Sequence, residues 1–93
     1  MRVGAVRKTP EDRRDFDVGF ADWLPPGDAL IDVEAFLASD NGLIIDAVSL
    51  EGSDAKVWLS GGEAGTSNEV EVRVTTAQGR IKTACFRVRI INC

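Results

Sequence analysis

W-L-S-G-G-E-A-G-T-S-N-E-V-E-V-R-V-T-T-A-Q-G-R, Trp58 to Arg80, reads as two strands and two turns. Val57 and Leu59 end one short strand. Gly61, Gly62 and Gly65 supply the positive φ angles that a tight reversal needs. Val70, Val72 and Val74 then alternate with Glu69, Glu71 and Arg73, the period of a strand with one face buried and the other in water. Gly61 to Thr66 is expected to be a hairpin turn, since a phosphate cradle would need a P-loop lysine and a following helix, and the sequence offers neither.

Working outward, the valine strand can be given a partner. Val72 opposite Phe86 brings Val74 to Ala84 and Val70 to Val88 on the core side, with Glu71 facing Arg87 and Glu69 facing Arg89 outside. The loop of this register is Ala77 to Ile81. Upstream, Phe16, Val18 and Phe20 alternate with Asp15, Asp17 and Gly19, and Trp23 with Leu24 closes one end. Pro25-Pro26-Gly27-Asp28 cannot continue a helix and favours a turn. Ile31, Val33, Ala35 and Leu37 form the inner face of a strand over Ala29 to Leu37. Ser39-Asp40-Asn41-Gly42 follows, with Asn-Gly a strong hairpin signal. Leu43, Ile45 and Ala47 face inward on the next strand, leaving Ile44 and Val48 on a second apolar face with no evident cover. Glu51-Gly52-Ser53-Asp54 turns the chain into Lys56 to Ser60.

Residues 1–14 lack periodicity and are rich in charge. They read as an extended N-terminal arm with room for a short edge strand at Arg2 to Val6, a frayed terminus being the alternative. No core position is expected there. Six or seven short strands without a helical period give an all-β fold, an immunoglobulin-like antiparallel β-sandwich at residues 15–93 preceded by the arm. Its core is expected to hold Phe16, Val18, Phe20, Ile31, Val33, Leu43, Ile45, Val72, Val74, Phe86 and Val88.

A chain of 93 residues is one domain, and one of about this size buries only roughly 60–65% of its unfolded surface, so a partner's cover adds to its stability. Net charge is −4 with no cluster of Lys and Arg on any predicted face, which argues against nucleic-acid binding. No signal peptide or membrane span is visible, so the protein is expected in the cytoplasm or in a particle assembled there. Cys85 and Cys93 are eight positions apart in what reads as one strand, roughly 26 Å between Cα atoms against a limit of about 7 Å for a disulfide. They read as reduced, structural thiols.

Catalytic and metal chemistry find little support. Asp15-x-Asp17-x-Gly19 opens like a calcium loop but lacks the downstream glycine and bidentate Glu. Asp22 and the Glu11-Asp12 pair read as surface carboxylates, because glycoside hydrolysis needs a cleft that so small a sandwich has little room for. Trp58 is either an edge-strand aromatic packed under a loop or an interface anchor. No enzyme activity, cofactor, metal or small molecule is expected.

Function comes from a resemblance. W-L-S-G-G-x-x-G-T at Trp58–Thr66, the valine strand and T-T-x-x-G-R at Thr75–Arg80 resemble a family of small tailed-bacteriophage virion proteins, described as fiber-tail adaptor or neck-associated structural proteins. Lys8-Thr9-Pro10, the run Asp15 to Leu24, and Gly27-Asp28 match it as well, so the resemblance covers most of residues 8–91. Asn68 departs from it, standing where the family often has an aromatic residue. The resemblance implies a non-enzymatic virion protein, present in several copies around the neck or tail and linking the head-tail connector or tail to fibers. Its partners would be portal, connector, tail or fiber proteins in a ring-symmetric assembly. The alternatives are a capsid decoration or head-fiber protein, and a free-standing immunoglobulin-like carbohydrate- or protein-binding module. The expected interface comprises Arg7, Lys8 and Pro10 of the arm, Ile44, Val48 and Trp58, and loops at one end of the sandwich carrying Gly61, Gly62, Gly65, Thr66, Gln78 and Arg80.

Overall fold

The computed structural model describes residues 2–38 and 41–92. Seven strands make up the fold: β1 (Arg2–Lys8), β2 (Arg14–Gly19), β3 (Leu30–Leu37), β4 (Leu43–Glu51), β5 (Asp54–Gly61), β6 (Ser67–Thr76) and β7 (Ile81–Ile90). They form a four-stranded sheet of order β1-β7-β6-β3 and a three-stranded sheet of order β2-β5-β4. The result is an all-β sandwich, elongated to 44 Å and compatible with the immunoglobulin-like type.

Period-2 alternation puts Ala55, Val57 and Leu59 of β5, Val70, Val72 and Val74 of β6, and Ala84, Phe86, Val88 and Ile90 of β7 between the sheets. Each fully buried Val, Leu or Phe contributes about 1.5–3 kcal/mol by leaving water. Phe16 reaches across to Phe86 at 6.0 Å between ring centroids, and Trp23 meets Phe20 edge-on at 6.3 Å near one end. Pro25 accepts the Asp28 N–H at 3.2 Å, the turn expected there. Cys85 is a free, half-buried thiol, while Cys93 lies outside the described residues.

Several expectations are corrected. Within residues 15–93 every strand pairing among the described residues is antiparallel, and the parallel pairing of β1 with β7 comes from the N-terminal segment expected to be an arm. The N-terminal segment forms an edge strand through Lys8, and it does reach the core: Val6 packs against it and Lys8 is 2% exposed.

The β6–β7 register is displaced by two residues. Val70 faces Phe86, Val72 faces Ala84, Glu69 faces Arg87 and Glu71 faces Cys85. The loop is shorter than expected: the Thr76 N–H donates to the Arg80 carbonyl at 2.8 Å, and Gly79, at φ +85°, donates to the Thr76 carbonyl. That is a three-residue turn with glycine in the left-handed position. A slip of two leaves every side chain on its expected face.

Two β-bulges account for the misplaced apolar residues. One between Leu30 and Asp32 resets β3, so Leu30 rather than Ile31 enters the core, and Ile31 is 62% exposed. Another between Ile45 and Ala47 resets β4, turning Ala47 outward and Val48 and Leu50 onto the core. Ile44 alone of the expected apolar pair faces out, 54% exposed.

Neither Gly61–Thr66 nor the 39–42 turn is a hairpin, because in both cases the flanking strands belong to different sheets. Ser39 and Asp40 of that turn lie outside the described residues. A tight hairpin does occur where Gly52-Ser53 joins Glu51 to Asp54.

Candidate interaction sites at the two ends

β6 is a ten-residue strand, so the two glycine loops that flank it lie at opposite ends of the sandwich, roughly 30 Å apart. They were expected at one end, which an intervening strand of that length forbids.

At the first end the chain crosses between sheets at residues 62–66. A Cβ on Gly61 would come within 2.8 Å of the Gly42 carbonyl oxygen, and one on Gly62 within 2.6 Å of Ile90 Cδ1, with φ positive at both. Only glycine fits this crossing. The Gly62 and Glu63 N–H groups donate to the carbonyls of Gly42 and Asn41, and the Gly65 N–H donates to that of Ile90 at 2.8 Å. Thr66 Oγ1 donates back to the Glu63 carbonyl at 2.6 Å.

Lys8 closes this end. β1 places it beside Ile90, and its ammonium donates to the carbonyls of Thr9, at 2.7 Å, and Gly61. Burial lowers the Lys8 pKa, opposed by the charges of Asp12 and Glu11. Pro10 lies in the turn where Asp12 donates to the Thr9 carbonyl and its carboxylate accepts the Thr9 N–H at 2.9 Å. Those two motif stretches, Lys8-Thr9-Pro10 and Trp58–Thr66, thus meet in space. Asn68 is buried here too, opposite Val88.

Asp28 organises the second end. Its carboxylate is wholly inaccessible and accepts the N–H groups of Ala29 (2.9 Å) and Gln78 (3.2 Å) and the Arg80 guanidinium (3.0 Å). Burial, the largest single influence, pushes its pKa up, but hydrogen bonds from Thr76, Ala29, Arg80 and Gln78 outweigh it and hold the carboxyl below its ordinary range. Thr76 Oγ1 also accepts the Arg80 N–H at 3.0 Å. Gly27-Asp28 and Thr75–Arg80, far apart in sequence, are one construction, with Gln78, Gly79 and Arg80 exposed at its tip.

The remaining expected residues are scattered. Arg7 is exposed on the outer face of the four-stranded sheet, opposite Arg89. Trp58 sits on a central strand rather than an edge, half-buried on the outer face of the three-stranded sheet, with the Arg13 guanidinium 4.5 Å over its ring. Asp46 holds Arg13 at 3.1 Å and accepts from Ser60. Asp15 and Asp17 flank Lys56 at 2.9 and 3.3 Å; the Asp15 hydrogen bond raises the lysine's pKa and in turn lowers that of Asp15. That ion cluster is the use the structure makes of the apparent calcium-loop carboxylates.

Sequence reasoning assigned no role to Asp28, Thr76 or Arg13 and saw no burial at Lys8. The one available signal was the Gly-Asp pair shortly after two prolines, a setting in which Asp often caps local N–H groups.

A family model described as podophage GP4 fiber-tail adaptor protein gp77 matches residues 8–89. No curated protein matches the chain.

Proposed function

The chain belongs to the podophage GP4 fiber-tail adaptor family, and we propose that it is a structural protein of a tailed-phage virion, present in several copies around the neck or tail, which links the head-tail connector or tail to fibers. It works by contact and not by catalysis. The observation that carries this reading is the pairing of the family-matched segments at two ends, Lys8 with Gly61–Thr66 and Asp28 with Thr76–Arg80. An adaptor needs two separate docking surfaces, and strands of this length hold them roughly 30 Å apart. The free-standing carbohydrate-binding alternative needs an open aromatic platform, whereas Trp58 is covered by Arg13.

The test is co-sedimentation of the purified protein with isolated tails and with isolated fibers. Replacing Gln78 and Arg80 by Ala at one end should abolish binding to one of the two. Replacing Glu63 and Thr66 at the other end should abolish binding to the second. If both sets of changes reduced binding to the same partner, or if the wild-type chain bound neither, the two-ended adaptor would be wrong.

A further inference from the structure

The outer face of the four-stranded sheet carries its charges in two blocks, which the strand order reveals and the sequence does not. β1 and β7 present Arg7, Arg87 and Arg89, with Arg7 directly opposite Arg89. β6 and β3 present Glu69, Glu71, Glu34 and Asp32 on the same face, together with Arg73, which lies 5.1 Å over the Phe36 ring. Among the described residues, Arg87 and Glu69 meet across the boundary at 4.0 Å. Like charges paired across a ladder, as at Arg7 and Arg89, are unfavourable in an isolated sheet. Around them stands a chain whose net charge is −4.

We propose that this face binds a second copy of the chain, related by a two-fold axis lying in the plane of contact, so that the basic block of each copy rests on the acidic block of the other. A two-fold contact uses the same patch twice and must be self-complementary. A face of one sign repels itself, whereas a face divided between signs satisfies that condition. Phe36 and Ile81, 40% and 64% exposed, add apolar surface to the same face.

Growth by edge pairing is opposed, because β1 and β3 both carry a bulge that interrupts their ladders. Four strands of up to ten residues make a face of about 19 by 33 Å, hence roughly 1,200 Å² over two copies, the lower limit for a specific interface. The contact is therefore weak on its own and sensitive to salt. It refines the multi-copy part of the adaptor reading while resting on the charge pattern of this sheet.

Sedimentation equilibrium of the full chain tests it. At an ionic strength of about 0.05 M a dimer should form, and at about 1 M, where the screening length falls to about 3 Å, its dissociation constant should rise on the order of tenfold or more. Arg87→Glu with Arg89→Glu should be monomeric, and so should Glu34→Lys with Glu71→Lys. An equimolar mixture of the two variants should recover a heterodimer. Circular dichroism checks that both remain folded, and Arg87→Gln with Arg89→Gln gives a milder change in the same direction. A monomeric wild type, growth past the dimer, or a mixture that stays monomeric would overturn the proposal. A monomer that still bound tails would overturn this contact while leaving the adaptor reading intact, and a dimer that bound no virion protein would do the reverse.

Discussion

At one end of the sandwich a lysine is buried, and at the other an aspartate. Lys8 is held by two backbone carbonyls, those of Thr9 and Gly61, with no carboxylate in salt-bridge contact among the described residues. Asp28 is held by two backbone N–H groups, a threonine hydroxyl and a guanidinium. Both pKa values move down, and that shared direction has opposite meanings. For Lys8 it says that the charged form is disfavoured by its surroundings, and for Asp28 that it is favoured. The glycines differ in parallel: at the lysine end a side chain on Gly62 would strike Ile90, while at the aspartate end nothing lies within 4 Å of a Cβ on Gly79. The lysine end is set by shape, the aspartate end by hydrogen bonding.

The largest expected effect sets a scale for both ends. Phe86→Ala, which empties the core midway between them, should cost about 3–5 kcal/mol in urea unfolding. A wild-type midpoint would show that neither end depends on the core they share. Next, Gly62→Ala should cost about 2–4 kcal/mol, because it adds overpacking against Ile90 to the strain of a positive φ. Gly79→Ala meets the strain alone and should cost about 1–2 kcal/mol. Equal losses in the two variants would erase the distinction between shape and hydrogen bonding.

Two smaller effects sharpen the comparison through pH. Because the folded pKa of Asp28 is depressed, its stabilisation is present above the unfolded value of about 3.9 and is lost as pH falls through the folded value. The stability gap between wild type and Asp28→Asn should therefore close in acid. The folded pKa of Lys8 is also lowered, so between that value and the unfolded value of about 10.4 the unfolded chain holds more protons and stability rises with pH. Wild type should gain on Lys8→Met over that interval. Lys56, whose pKa is raised, acts in the opposite sense, and the subtraction removes it. A wild type that lost ground to Lys8→Met with rising pH would mean that the Lys8 ammonium is better satisfied than its two carbonyl partners suggest.

Which face of β6 and β7 is buried could be read from alternation alone, since Val70, Val72, Val74, Phe86 and Val88 all lie inside. Their register could not. Moving Phe86 from Val72 to Val70 keeps valine against phenylalanine, so the choice falls to the three-residue turn after Thr76, which Asp28 braces from another strand connection. Parity failed at Ile31 and Val48 because a single-residue bulge leaves no mark in an apolar run. The buried lysine and the arginine block were invisible for a different reason: both depend on β1 lying beside β7, a contact between distant parts of the chain that local pattern does not encode. The candidate site was therefore legible as motifs and not as geometry.

That parallel pairing has a temporal consequence. β1 leaves the ribosome before the other described strands, and its partner β7 emerges only after those between them have been made. Until then the apolar residues of Val3 to Val6 have no sheet to join, and afterwards the edge of β7 stays open until β1 finds it. Contacts of such large sequence separation close slowly, on the millisecond to second scale typical of β-sandwiches. During synthesis, neighbouring chains therefore have an interval in which β1 of one molecule can dock on β7 of another.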